Sequence, residues 1–250
     1  MGRPRTPRGR ARETGARLAD EYPGDERALC ALAHDGPFQL LVATILSAQT
    51  TDERVNSVTP ALFAAYPTPA DLAAADPADV ERIINPTGFF RAKTRSLVAM
   101  ADALEERHGG EVPSAMEDLV RLPGVGRKTA NVVRSVGFGL PGLPVDTHVG
   151  RLSRRLGLTV ETDPVKAEAD LNALVPAAER GRLSLRLILH GRRVCLARRP
   201  RCPDCVLADF CPASTVPGRG RASARQAATG AGAGAAEDGN NKVAGGVTLQ

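Results

Sequence analysis

Four cysteines near the C-terminal end of the chain have the spacing of a metal-binding loop. They follow the pattern C-x6-C-x2-C-x5-C, at Cys195, Cys202, Cys205 and Cys211. Four thiolates so close along the chain suit one metal centre better than two disulfides, above all where thiols stay reduced. Both Zn²⁺ and a [4Fe-4S] cluster accept four thiolates, but zinc modules usually show two separated C-x2-C pairs. The spacing therefore indicates a single metal centre and is less typical of zinc.

A glycine turn that leads into a helix lies upstream of the cysteines. Residues 122–130 read Leu-Pro-Gly-Val-Gly-Arg-Lys-Thr-Ala. Gly124 and Gly126 can take positive φ and let another backbone come close. The helix that follows begins with unpaired N–H groups and the positive end of its dipole, a combination that binds a phosphate group. A short Gly-x-Gly alone is equally compatible with a packing corner between two helices.

Positive charge is concentrated around these two motifs. The formal net charge is +5, but residues 182–201 contain seven Arg and no acid. Residues 121–155 contain seven basic residues and one acid, Asp146. Five more Arg and no acid lie within residues 1–12. Positive charge localised in this way is typical of a surface that binds nucleic-acid phosphates.

Composition and hydropathy favour an all-α protein outside a membrane. Aromatic residues make up 3% of the chain, and Ala, Leu and Arg dominate, which favours helices over strands. No apolar run approaches the roughly 20 residues that a membrane span needs. No apolar signal-peptide core follows the basic N-terminus. We therefore expect a cytoplasmic protein, associated with the nucleoid when bound to DNA. A monomer is also expected, and Cys30 is expected to be a small core residue.

The nine-residue turn resembles the helix-hairpin-helix of the DNA glycosylases, and within them the endonuclease III family. Residues 46–52, 145–149 and 187–191 are similar to segments of that family in the same order. The four-cysteine string is similar to the family's iron–sulfur loop. The resemblance covers roughly residues 15–212. It implies one [4Fe-4S] cluster per chain, and duplex DNA with damaged bases or abasic sites as the partner.

The family's fold implies two lobes with the catalytic groove between them. A helical barrel lobe is expected over residues 30–140, with the helix-hairpin-helix at about 115–136. A cluster lobe is expected to combine residues 13–29 with residues 141–211. Residues 1–12 are predicted to be a disordered basic arm, and residues 212–250 a disordered Gly/Ala-rich tail, because neither has apolar periodicity.

The resemblance also gives roles to a lysine and an acid. Lys128 lies in a first helical turn, where the dipole disfavours the ammonium form, and a neutral amine can form a Schiff base. A phosphate contact is the commoner role for such a lysine, but the matching lysine of the family attacks C1′ of the damaged nucleotide. Asp146 can cap a helix, for about 1 kcal/mol, and matches the family's essential acid. A carboxylate there would stabilise positive charge that develops at C1′.

Side chains on several loops are expected to contact DNA by the same resemblance. Gln49 would fill the space left by a flipped base, and Phe89 would wedge between bases from the other side. A solvated loop residue and a core Phe are the commoner alternatives, and many family members have an aliphatic residue where Phe89 stands. Phosphate contacts are expected from Gly124, Val125, Gly126, Thr129, His148, Arg198, Arg199 and Arg201. A local cap is the alternative for His148, and a solvated face is the alternative for the three arginines.

These features predict a bifunctional DNA glycosylase and abasic-site lyase of base excision repair. It would remove oxidised pyrimidines through a Schiff base at Lys128 and nick the strand 3′ to the abasic site. One alternative is an adenine-excising mismatch glycosylase, although relatives of that kind lack a lysine at this position. A second is a non-enzymatic DNA-binding module stapled by a metal.

Overall fold

Twelve α-helices make up more than half of residues 3–217, the part of the chain that the computed structural model describes. Three 3-10 turns (Asn85–Thr87, Ala177–Glu179 and Cys202–Asp204) join them, and a π-helical turn, Val133–Gly137, continues α9. No strand occurs among residues 3–217, which confirms the all-α prediction. The helices are α1 (Pro7–Glu21), α2 (Glu26–Leu29), α3 (Gly36–Leu46), α4 (Asp52–Ala65), α5 (Pro69–Ala73), α6 (Pro77–Ile84), α7 (Phe90–His108), α8 (Met116–Leu119), α9 (Arg127–Val132), α10 (Thr147–Arg155), α11 (Pro164–Leu174) and α12 (Arg180–Arg193).

Most of these helices begin at a residue whose side chain caps the first turn. A Thr or Asp side-chain oxygen accepts a hydrogen bond from a first-turn N–H, a contact worth about 1 kcal/mol. The capping residues are Thr6, Asp25, Thr51, Thr68, Asp76, Asp146 and Asp163.

None of the helices within residues 3–217 is long and apolar enough to cross a bilayer.

Two separate hydrophobic cores define two lobes. The barrel lobe is built on α3 to α9, and its buried side chains run from Leu32 to Val133. The cluster lobe combines α1 with α10 to α12, and its core includes Leu18, Val149 and Phe210. The chain therefore passes from one lobe to the other shortly after α2 and returns after α9.

The prediction of a disordered arm over residues 1–12 is wrong for residues 7–12, which form the first turns of α1. Ala11 is 3% exposed and belongs to the core of the cluster lobe. The guanidinium of Arg10 donates to the carbonyls of Leu156 and Gly157, both at 2.7 Å. The segment is helical although it lacks apolar periodicity. One buried alanine and hydrogen bonds from arginine to backbone carbonyls attach it to the fold, where an apolar face would usually do so.

The predicted tail divides at residue 217. Residues 212–217 are described, and Ser214 among them is buried against the cysteine loop. Residues 218–250, which hold the rest of the tail that was predicted to be disordered, lie outside the described residues, as do residues 1 and 2.

Candidate functional site

The turn before Lys128 uses its two glycines differently. Gly124 has φ +75°, and a Cβ added to it would lie 2.8 Å from Cβ of Ser96, so both conformation and space require glycine. Gly126 has φ −88°, so the expectation of positive φ holds for the first glycine only. A Cβ added to Gly126 meets nothing within 4 Å. Gly126 therefore supplies open space in front of the helix.

Helix α9 begins without a capping side chain. Its N-cap residue is Gly126, so no side-chain oxygen occupies the N–H groups of the first turn, which are then left for an outside acceptor. Lys128 is exposed and Thr129 is half-buried in this turn. Val125 is 6% exposed and its N–H donates to Leu122 at 3.1 Å. Val125 therefore packs the turn onto the barrel lobe and has only its carbonyl left for the predicted DNA contact.

Asp146 stands at the start of α10, on the cluster-lobe side. Its Oδ1 accepts from the N–H of Val149 at 2.8 Å, so the capping role predicted from sequence is confirmed. The cap occupies one carboxylate oxygen. The half-buried side chain thus has a second oxygen for chemistry.

Three contacts that sequence reasoning missed join the helix of Lys128 to the lobe of Asp146. Asn131 Oδ1 accepts from the N–H of Leu143 at 3.1 Å, which holds the segment that leads to Asp146 against α9. Gly142 lies so close that a Cβ there would be 2.5 Å from the Asn131 carbonyl oxygen. The guanidinium of Arg127 binds both carboxylate oxygens of Glu168, at 2.8 and 2.9 Å. An Asn in the interior of helix α9 was the available signal, because Asn disfavours helix interiors unless its side chain is bonded.

A guanidinium beside the ring of His148 favours one tautomer. Nδ1 lies 3.1 Å from Nη2 of Arg151, and a guanidinium only donates, so Nδ1 accepts. In the neutral ring, Nε2 then carries the hydrogen and can donate to a phosphate oxygen. Arg151 also donates to the carbonyls of Gly191 and Cys195, both at 3.0 Å. Helix α10 is therefore attached at this point to the start of the cysteine loop.

Three non-glycine residues within residues 3–217 have left-handed backbone: Gln49, Phe89 and Arg199, with φ of 57°, 48° and 53°. A conformation of this kind costs roughly 1–3 kcal/mol and clusters at functional sites. All three were predicted to contact DNA. Phe89 is 68% exposed, which decides against the alternative of a core phenylalanine. Each loop thus holds an exposed side chain in an unfavourable backbone conformation.

The four cysteines of the C-terminal loop line one small cavity. Arg155 Nη1 donates to Cys195 Sγ at 3.2 Å, and the N–H of Leu207 donates to Cys205 Sγ at 3.4 Å. Burial raises the pKa of the Cys205 thiol to about 11 and also raises that of Cys211. The positive charge of iron would be needed to hold these sulfurs as thiolates.

The placement of the donors fits a cluster better than zinc. Among residues 3–217, no three His, Cys, Asp or Glu side chains are placed to share one metal ion. A tetrahedral Zn²⁺ site needs its thiolates around one ion, whereas each thiolate of a [4Fe-4S] cluster binds its own iron. The four sulfurs around one cavity therefore fit a cluster.

The arginines of the cysteine loop differ in what they bind. Arg155 supports the loop from α10 by donating to the carbonyls of Leu196 and Ala197, at 2.8 and 2.9 Å. Arg198 and Arg199 are exposed and bind no other group within residues 3–217. Arg201 forms an ion pair with Asp204 at 3.0 Å. Arg198 and Arg199 are therefore available to bind phosphates, whereas Arg201 is already paired with an acid.

Two family models match the chain. The model described as "HhH-GPD superfamily base excision DNA repair protein" matches residues 42–177, a range that includes Lys128 and Asp146. The iron-sulfur binding domain of endonuclease III matches residues 195–211, from the first cysteine of the loop to the last. The first match extends over more than half of the chain. The chain therefore belongs to the HhH-GPD superfamily of base excision DNA repair proteins.

The similar proteins show the family within that superfamily: the chain is a member of the endonuclease III family. Endonuclease III of Synechocystis sp. is 52% identical over 206 residues, 82% of this chain and 93% of the relative. Endonuclease III of Escherichia coli K12 is 40% identical over 180 residues, 72% of this chain and 85% of the relative. A structure of a non-covalent endonuclease III–DNA complex superposes with a TM-score of 0.77 at 40% identity, over 82% of this chain and 95% of that one. A trapped endonuclease III–DNA covalent intermediate gives the same TM-score.

Membership of this family settles several predictions. The chain has the two-lobed helix-hairpin-helix glycosylase fold, is a DNA repair glycosylase, and has a [4Fe-4S] cluster as its cofactor. The alternatives of a zinc site and of a non-enzymatic DNA-binding module are therefore wrong.

Proposed function

We propose that this enzyme removes oxidised pyrimidines from duplex DNA and then cleaves the strand at the abasic site. The observation that carries the proposal is the placement of Lys128. Its amine stands exposed at an uncapped helix start in the barrel lobe, while Asp146 begins the neighbouring helix in the cluster lobe. We infer that the DNA binds between the lobes, where a nucleophile from one lobe and a carboxylate from the other suit displacement at a sugar carbon.

In the first step the neutral amine of Lys128 attacks C1′ of the damaged nucleotide. The bond from C1′ to the base breaks, and the base leaves with the bonding electrons and takes up a proton. Asp146 stabilises the positive charge at C1′ and accepts a proton from the attacking nitrogen. Opening of the sugar ring then gives a protonated Schiff base between C1′ and Lys128.

The Schiff base makes the second step possible. It acidifies the C2′ hydrogen, and removal of that proton forms a C2′–C3′ double bond. The bond from C3′ to its phosphate oxygen breaks, so the strand is nicked 3′ to the abasic site by β-elimination. Water then hydrolyses the Schiff base and returns Lys128 as a free amine.

The remaining predicted residues prepare the DNA. The open space at Gly126 and the first-turn N–H groups of α9 suit a phosphate, to which His148 Nε2 can donate. Gln49 and Phe89 approach the duplex on separate loops, to fill the space of the flipped base and to wedge the stack. The cluster, bound by the four cysteines, cross-links the loop that presents Arg198 and Arg199 to phosphates. A monomeric state and a cytoplasmic location stay predictions.

Borohydride trapping on a panel of duplexes tests the proposal. Each duplex contains one defined oxidised pyrimidine, a mismatched adenine or an abasic site. We expect covalent capture on abasic and oxidised-pyrimidine DNA, and loss of capture in Lys128→Gln but not in the exposed-lysine control Lys166→Gln. Base release without capture would contradict the Schiff base, and preferred release of adenine would contradict the substrate class.

A further inference from the structure

A second lysine of the barrel lobe lies directly beneath the loop of Phe89. Lys93 belongs to the first turn of α7 and is 6% exposed. Its Nζ donates to the backbone carbonyl of Thr87 at 2.9 Å. No carboxylate within residues 3–217 pairs with this ammonium, and burial alone lowers its pKa.

A buried ammonium without an acid partner is unfavourable for stability. Removing such a group from water is unfavourable, and one carbonyl hydrogen bond offsets only part of that. Replacing buried charged groups by apolar side chains of similar volume is often neutral or stabilising. Stability therefore does not account for Lys93. The group that it binds is the last carbonyl of the 3-10 turn Asn85–Thr87.

The turn above Lys93 is held in an unusual shape. Gly88 and Phe89 are successive residues with positive φ, 69° and 48°. The hydroxyl of Thr87 donates to the Ile84 carbonyl at 2.8 Å, and Arg54 of α4 donates to Pro86 at 3.3 Å. Helix α4 follows the loop of Gln49, so both DNA-facing loops are tied to the same turn.

We propose that Lys93 is a positioning residue for Phe89. Its hydrogen bond to Thr87 fixes the carbonyl end of residues 85–87, and the next two residues then have one arrangement, with the phenyl ring outward. The inference rests on the proposed wedge role of Phe89. Lys93 itself cannot reach DNA, because its amine is buried and bound beneath the loop.

A positioning role and a merely structural role predict opposite changes in Lys93→Met. Methionine has almost the length of lysine and no charge, so it removes the hydrogen bond and the buried ammonium together. If Lys93 positions the loop, the Tm stays equal or rises while base release slows. If Lys93 only supports the fold, the Tm falls and the rate at saturating DNA stays the same.

A double-mutant cycle with Phe89→Ala tests the inference. The rate of base release is measured in single turnovers at saturating duplex, and 2-aminopurine beside the lesion reports unstacking by the wedge. We expect Phe89→Ala and Lys93→Met each to slow base release roughly tenfold, the scale of a small misplacement in a catalytic site, and to reduce the 2-aminopurine signal. In the double variant, Lys93→Met should slow the reaction no further, because the two residues act as a unit. The matched control is Arg95→Met, which removes an exposed cation from the same helix and should leave the rate and the signal unchanged.

Several results would overturn the inference. Equal slowing by Lys93→Met with and without the phenyl ring would show that Lys93 acts elsewhere. A lower Tm with an unchanged rate, or a variant that does not fold, would make it a structural residue. A normal rate in Phe89→Ala would remove the wedge proposal, and the role of Lys93 with it, but would leave the Lys128 proposal intact.

Discussion

Two turns of the barrel lobe have the same plan and hold their lysines in opposite ways. Each contains a glycine with positive φ, Gly88 at 69° and Gly124 at 75°, and each leads into a helix with a lysine in its first turn. Lys93 folds back under its turn and binds a carbonyl, with 6% of its surface exposed. Lys128 is exposed and makes no such contact with its own turn.

Under the proposed function, a perturbed pKa alone does not identify the nucleophile. Burial lowers the pKa of Lys93, and such a shift is often a sign of a functional amine. Yet Lys93 is 6% exposed and its Nζ donates to the Thr87 carbonyl, so burial keeps its amine from any substrate. A nucleophile has to reach the reacting carbon first, and only Lys128 of these two lysines can do so.

The largest expected effect separates the two lysines directly. Lys128→Gln should abolish base release, strand cleavage and borohydride capture, because no amine is left at C1′. It should still bind lesion DNA, since the N–H groups of α9 and the arginines of the cysteine loop remain. Lys93→Met should still be captured, at a reduced rate. Capture assays and equilibrium binding with the same labelled duplex measure both properties.

The opposite pattern would reverse the assignment. Capture that survives in Lys128→Gln and disappears in Lys93→Met would show that the turn above Lys93 opens to release its amine.

The two lysines also differ in the acid proposed to act with them. Asp146 is proposed to act with Lys128, whereas Lys93 has no acid partner among residues 3–217. Asp146→Asn keeps a good N-cap and removes the negative charge, so turnover should fall by about 10²-fold, within the range of positioned acid–base groups, with an unchanged Tm. Asp146→Ala should lose the same activity and about 1 kcal/mol of stability besides. Single-turnover rates and thermal melts of both variants check this. An Asn variant with normal turnover would leave Asp146 a cap only.

Sequence reasoning predicted what short motifs encode and missed what the tertiary fold decides. The turn before Lys128, the cap at Asp146 and the four cysteines each depend on a few neighbouring residues, so their patterns were sufficient. The pairing of Arg127 with Glu168 joins residues 41 positions apart, and no local pattern specifies it. Residues 7–12 were misjudged for the same reason, because Arg10 binds carbonyls near residue 156. Gly126 looked like Gly124 in sequence, and only the backbone distinguishes them.

Substitutions at Gly124 and Gly126, in the turn before Lys128, should have smaller effects, and they separate stability from phosphate binding. Gly124→Ala strains a left-handed residue and brings Cβ against Ser96, so we expect a loss of roughly 1–3 kcal/mol in stability. Gly126→Ala places a methyl group in open space, so the Tm should hold while DNA binding weakens several-fold and its salt dependence flattens by about one phosphate. Denaturation and salt-dependent binding curves measure the two effects. Unchanged DNA binding by Gly126→Ala would place the phosphate elsewhere.

The smallest expected effect is a pH trend in stability that depends on Lys93. Burial lowers the pKa of Lys93 below its ordinary value of 10.5, so between those two values the unfolded chain binds more protons than the folded one. The free energy of unfolding therefore gains a contribution from Lys93 as the pH rises through that window. Lys93→Met has no such contribution, and all other titrating groups are common to both proteins. The Tm of the wild type should thus increase relative to Lys93→Met from neutral pH towards 10.5.

Melts of both proteins at matched ionic strength measure this difference. The Lys166→Met variant, which changes an exposed lysine of α11, serves as the control and should show no trend against the wild type. A gap that stays constant with pH would mean that Lys93 is hydrated in solution. A hydrated Lys93 could not hold the Thr87 carbonyl. The two turns would then no longer hold their lysines in opposite ways, and only the exposure of Phe89 would still support its wedge role.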